Sequence, residues 1–124
     1  MTRYAVLLYW PETDTPGYGT PEFHKMADAF AGFKNEIGKT SVMTSSEGLQ
    51  PTSNATTVRV REGKTLTIDG PFAETREQLG GVWIFDCKDL DEAISWAAKI
   101  PQAQTGSVEI RPLWQQQSAE SWKQ

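Results

Sequence analysis

The sequence predicts an α+β fold of the split βαβ, ferredoxin-like kind, with a β-hairpin inserted between its two halves. Three observations carry this. Segments of strand and helix periodicity follow one another in the order β-α-β, hairpin, β-α-β. A two-residue Glu62-Gly63 turn separates the alternating runs TTVRVR and KTLTI. The runs RYAVLLYW and VWIF are apolar on both faces, although both helices of such a fold cover only one face of the sheet. The second face therefore needs cover. Leaving its aromatics in water would forgo a few kcal/mol at about 25 cal/mol per Å². A homodimer packed sheet on sheet is the simplest cover, and a ligand pocket between the faces can coexist with it.

Each element has its own local reason. Residues 3–10 (RYAVLLYW) form the first strand, and residues 11–20, with two prolines and two glycines, form a loop. Thr20 is the expected N-cap and Pro21 the first helical residue. Phe23, Met26, Ala27, Phe30, Phe33 and Ile37 follow at helical spacing up to a stop at Gly38, with His24, Asp28, Ala31 and Asn35 on the other face. Residues 41–49 make a weak strand before Pro51, and residues 56–61 and 64–68 make the hairpin. Residues 80–87 (GGVWIFDC) are a strand apolar on both faces. Asp89 then caps the second helix, with Glu92 three residues on. Leu90, Ile94, Ala97 and Ala98 are its expected buried stripe, and Pro101 ends it. Residues 107–113 are the last strand.

The 124 residues suffice for one core, which assigns residues 1–114 to a single domain and leaves 115–124 as a polar tail that frays or packs locally. A net charge of −4 is a poor match to nucleic acid, which calls for a basic footprint. No segment approaches the roughly 18 apolar residues of a membrane helix. The single cysteine, Cys87, excludes an internal disulfide, and with no export signal in the apolar start the expected compartment is the cytoplasm. One histidine, one cysteine and no spaced carboxylate cluster give no metal site, and no P-loop, GxGxxG or GxSxG motif implies a cofactor or a serine nucleophile.

The most unusual stretch is Asp69 to Gly81, DGPFAETREQLGG. It resembles the DGPF-motif proteins of the YCII-related superfamily. The resemblance extends upstream through Glu47-Gly48-Leu49-Gln50-Pro51 and Ala55 to Arg59. Downstream it runs through Asp89 to Ala93, Trp96-Ala97-Ala98 and Gly106 to Pro112, and it covers about two thirds of the chain. It leaves out the loop at 11–20 and the tail after Leu113. The resemblance implies a dimeric α+β barrel, in agreement with the burial argument. It also implies that some relatives act on small molecules through a His–Asp pair whose aspartate is the one in the motif, here Asp69. Genes of such proteins often lie beside those of extracytoplasmic-function sigma factors, which implies a regulatory setting. One departure matters. Where many relatives carry a histidine in the first helix, this chain has Phe30. Its only histidine, His24, lies nearly two helical turns earlier and does not inherit that position.

Site candidates follow, each beside a plainer reading. Asp69 is a general acid or base at a strand end, or the acceptor of an Asx turn. Gly70 and Pro71 set a rigid corner, and Phe72 completes the motif as a candidate substrate contact. His24 is a proton shuttle, or a surface residue beside Asp28. Arg59, Arg61, Arg76 and Arg111 are candidate grips for an anionic substrate, or members of cross-strand or intersubunit ion pairs with Glu109 or Glu62. Trp10, Trp83 and Trp96 are expected to join the core or an interface, with Trp83 the one of the three to face a partner or a ligand, and Cys87 is expected to be a buried structural thiol. Three functions remain open: a cofactor-free enzyme using Asp69 on a small molecule, a non-catalytic small-molecule or protein-binding module, and a structural dimer.

Overall fold

The computed structural model describes residues 1–115. The predicted polar tail therefore falls, beyond Gln115, outside the described residues. The elements are β1 (Thr2–Trp10), α1 (Pro21–Ile37), β2 (Met43–Gly48), β3 (Thr56–Arg61), β4 (Lys64–Asp69), β5 (Gln78–Cys87), α2 (Leu90–Ala97) and β6 (Ser107–Pro112), with short 3-10 turns at Glu12–Asp14, Thr52–Asn54 and Pro101–Gln104. Four strands form one sheet in the order β2-β5-β1-β6, and among the described residues β3 and β4 pair only with each other. All pairs are antiparallel. In each βαβ half a strand of the other half lies between the two that its helix connects, which is the predicted split arrangement of a ferredoxin-like α+β fold.

The caps form as the sequence leads one to expect. Thr20 Oγ1 accepts from the Phe23 amide at 3.2 Å, and Asp89 Oδ1 accepts from the Glu92 amide at 2.9 Å. Glu92 reaches back to the Lys88 amide at 3.0 Å, one residue before the cap itself. At the hairpin turn, Glu62 and Gly63 both have positive φ, 52° and 75°, as a type I′ turn requires.

The core lies between the main sheet and the helices. Tyr4, Val6 and Leu8 of β1 and Trp83, Phe85 and Cys87 of β5 point into it and are buried, together with Phe33, Ile37, Ala93, Ala97 and Ile100. The opposite parity, Ala5, Leu7 and Tyr9 with Val82 and Ile84, lines the other face and is half-buried. The second helix is phased differently from expectation. Ala93, Ala97 and Ile100 face the sheet, while Leu90 and Ile94 remain 47% and 48% exposed and Ala98 is exposed. Two alanines on the inner face let α2 sit close to the sheet, so the larger Leu90 and Ile94 are turned away from it.

The hairpin stands apart from this core. Every residue of β4 is exposed, and Val58, Val60, Leu66 and Ile68 show 46–61% of their surface. The register Val58↔Thr67 and Arg59↔Leu66 places valines on one face of the ribbon and Leu66 and Ile68 on the other. A lone two-stranded ribbon is marginally stable in water.

Candidate functional site

The DGPF segment closes the hairpin arm and leads into β5. Gly70 takes φ +96°, a left-handed conformation that glycine adopts without a Cβ penalty. Its amide donates to the Ala55 carbonyl at 2.7 Å, and its own carbonyl accepts from Thr57 Oγ1 at 2.8 Å. The corner is thus locked by backbone groups and a threonine. Asp69, the last residue of β4, is exposed, and among the described residues its carboxylate accepts no hydrogen bond and joins no ion pair. The Asx turn is not what holds this corner.

The other candidates lie in three separate places. Arg59 and Arg76 are exposed on the arm and the loop after it, without an ion-pair partner among the described residues, and Phe72 is 78% exposed. Arg111 lies on the uncovered face of the main sheet, where its Nη2 donates to Glu109 Oε2 at 2.7 Å, an ion pair within β6 and not the expected pair across strands or subunits. Tyr9 Oη donates to Glu109 Oε1 at 3.4 Å from the neighbouring strand. Burial first, then the Glu109 charge, raises the Tyr9 phenol above its ordinary value. His24 is exposed on α1, edge-on to Phe23 at 6.2 Å between ring centroids. No described hydrogen bond or ion pair joins His24 to Asp69.

The placement of Trp83 corrects the expectation that it faces a partner or a ligand. Its parity along β5 sends it to the helix side, where it is 2% exposed and stacked on Phe33 at 5.7 Å. Phe30, which stands where relatives carry histidine, meets Trp83 edge-on at 5.6 Å. The Lys34 ammonium lies over both rings, 5.5 Å from Phe30 and 5.4 Å from Trp83, and donates to Ser46 Oγ. Cys87 is fully buried and unpaired, as expected of a structural thiol. Burial, reinforced by the nearby Glu92 and Asp86 charges, pushes its pKa up to about 11 and leaves it a poor nucleophile.

One concave site was not foreseen. A cavity of about 470 Å³ opens between the loop after β1, the first turns of α1 and the Pro101–Gln104 turn. Trp10, Pro16, Met26 and Pro101 supply apolar wall, and Asp14, Glu22, Lys25 and Gln102 supply polar groups. Gly80 makes room for one wall: a Cβ there would stand 2.2 Å from Trp10 Cζ2. The loop is held by Glu12, whose amide donates to Gln78 Oε1 at 2.8 Å and whose carboxylate accepts from the amide and hydroxyl of Thr52 at 2.9 and 3.0 Å. The sequence signal that could have pointed here is the length of the Pro- and Gly-rich loop, ten residues where a shorter connection would do. The residues that close the cavity come from two neighbouring segments near the start of the chain and one around Pro101, which no local motif links.

Among the described residues no helix is long and apolar enough to cross a membrane, and no group of three or more His, Cys, Asp or Glu is placed to hold a metal ion. A family model described as the YCII-related domain matches residues 3–117. An uncharacterised protein of Rhizobium meliloti (strain 1021) is 38% identical over 112 residues, 89% of this chain and 90% of that protein.

Proposed function

The chain belongs to the YCII-related family, and from that premise we propose that it is a homodimeric protein acting on a small organic molecule, with Asp69 as its acid or base. The observation that carries the reading is the free state of Asp69. Among the described residues its carboxylate has no partner, and it stands at the base of an arm whose Val58, Val60, Leu66 and Ile68 lie open to water. A second copy packed on the open sheet face would cover the arm and Leu7, Val82 and Ile84. It would also enclose the strand end that carries Asp69, where a carboxyl can give or take a proton from a bound molecule. The dimeric α+β barrel is the assembly this reading requires. No cofactor enters it, and the lone free Cys87 supports a cytoplasmic setting.

Native mass spectrometry of the full chain, with a turnover screen of wild type and Asp69→Asn, tests the proposal. A dimer whose turnover falls by about 10²-fold or more in Asp69→Asn is expected. A monomer, or normal turnover in the variant, overturns it.

A second reading is a non-catalytic small-molecule or protein-binding module, in the sigma-factor setting that family resemblance implies. Phe30 favours it. With that side chain built into the Trp83 cluster and His24 out on the helix surface, no imidazole stands ready to pair with Asp69 in one copy.

A further inference from the structure

We infer that the cavity between Trp10, Met26 and Pro101 is a binding site for a small organic amine, its apolar body against Trp10 and its ammonium group held by Asp14 and Glu22. The inference rests on the small-molecule reading above and does not involve Asp69, which is not among the cavity's lining residues.

The volume comes first. About 470 Å³ falls within the range of roughly 300–1,000 Å³ that small-ligand pockets occupy, and most of the lining is apolar, as in such pockets. The wall is built rather than incidental. Gly80 leaves the space that the Trp10 ring fills, and Glu12 ties the loop that carries Asp14 to Gln78 and Thr52. The charges come second. Asp14, Glu22 and Lys25 are all exposed, so they sit where the cavity meets solvent. None of the three is in an ion pair with a described residue, and their sum is one negative charge at the entrance. Such an entrance favours a cation over an anion.

Gln102 is the third observation. Its Oε1 is sealed from solvent and, among the described residues, accepts no hydrogen bond, while the residue itself lines the cavity. A buried amide oxygen without a donor is rare in folded proteins. An entering N–H group that draws the amide round supplies the missing bond. An amine meets all three features: apolar bulk, positive charge and a donor. A carboxylate meets only the first.

The test is a titration of the full-length ¹⁵N-labelled protein with phenethylamine, and in parallel with 3-phenylpropanoate as the anion of similar bulk. The readouts are the Trp10 indole and Gln102 side-chain amide resonances. Phenethylamine should shift both saturably, and phenylpropanoate should bind at least about tenfold more weakly. The surface double variant Asp14→Asn/Glu22→Gln should keep the folded spectrum and lose at least about tenfold in amine affinity. Absence of a saturable Trp10 shift overturns the proposal. So does equal or tighter binding of phenylpropanoate, or unchanged affinity in the double variant. Asp69→Asn should bind phenethylamine like wild type, so loss of its turnover and loss of amine binding are read separately.

Discussion

Glu12 grips Thr52 through two hydrogen bonds, one from the backbone amide at 2.9 Å and one from the hydroxyl at 3.0 Å. The two residues are 40 positions apart, and each lies in a 3-10 turn of a loop. The bond pair fastens the loop after β1 to the segment that launches the hairpin arm. It is a part-buried, charge-assisted contact, which gives it more weight than a solvent-exposed ion pair such as Lys99–Glu36.

Glu12→Ala should therefore lower stability by about 1–2 kcal/mol in urea unfolding. It should also speed hydrogen exchange at the Thr52 amide, with little change in β5. Unchanged exchange at Thr52 would show that the loop is held by other contacts.

Trp83→Ala should cost about 3–5 kcal/mol, the range for a large aromatic removed from a packed core. Its ring touches Phe30, Phe33 and Phe85. Thermal unfolding is the measurement. A loss below about 1 kcal/mol would place the ring outside the core.

Gly106→Ala should destabilise by about 2–3 kcal/mol, as overpacking against a fixed backbone does. A Cβ at this position would stand 1.9 Å from the Tyr9 carbonyl oxygen, and a strand backbone cannot step aside as a flexible side chain can. Equilibrium denaturation of the variant checks it.

Cys87 sets a pH dependence at the alkaline end. Its thiol is raised from the ordinary 9.0 to about 11 in the folded protein, first by burial and then by Glu92 and Asp86. Below pH 9 both states hold the proton and the thiol contributes no slope. Between about pH 9 and 11 the unfolded chain ionises while the folded one does not, so stability falls as pH rises, by about 2–3 kcal/mol in total. Tyr9 adds to the decline from about pH 10 upward, because its phenol is raised above the ordinary 10.0. Urea unfolding from pH 8 to 11 should show the slope, and Cys87→Ala should flatten it.

Ile84→Lys, placed on the open face of β5, should weaken self-association of the proposed dimer at least tenfold, roughly, while leaving the monomer folded. Sedimentation equilibrium reads the shift. A dimer undisturbed by this charge would move the contact to another surface.

The strands, both caps and the hairpin turn were legible because each rests on a local rule. Period-two alternation, Thr20 before Pro21, Asp89 before Glu92 and the Glu62-Gly63 pair all act within a few residues. The facing of α2 was not legible, since Leu90 and Ile94 are the more apolar residues and yet Ala93 and Ala97 face the sheet. Close approach, a tertiary quantity, decided it. Trp83 was misplaced for a related reason: in a strand apolar on both sides, sequence does not say which parity meets the helices. The DGPF corner was visible as a motif. The cavity beside Trp10 was not, because its lining is assembled from segments nearly a hundred residues apart in the chain.

The arm of β3 and β4 has one more consequence. Among the described residues each strand pairs only with the other, so the ribbon presents two open edges, one of whose carbonyls, that of Val60, is met by Arg61 Nη1 at 3.0 Å. Such edges template further strands, and unguarded ones lead to open-ended stacking. Arg59, Arg61 and Lys64 crowd cationic charge into the outer half of the ribbon, offset only by Glu62 at the turn, and a second ribbon laid in register would set like charge against like. The arm is open enough to be embraced by another molecule and too repulsive to be copied along a fibre, and high salt, by screening those charges, is the condition under which that safeguard weakens.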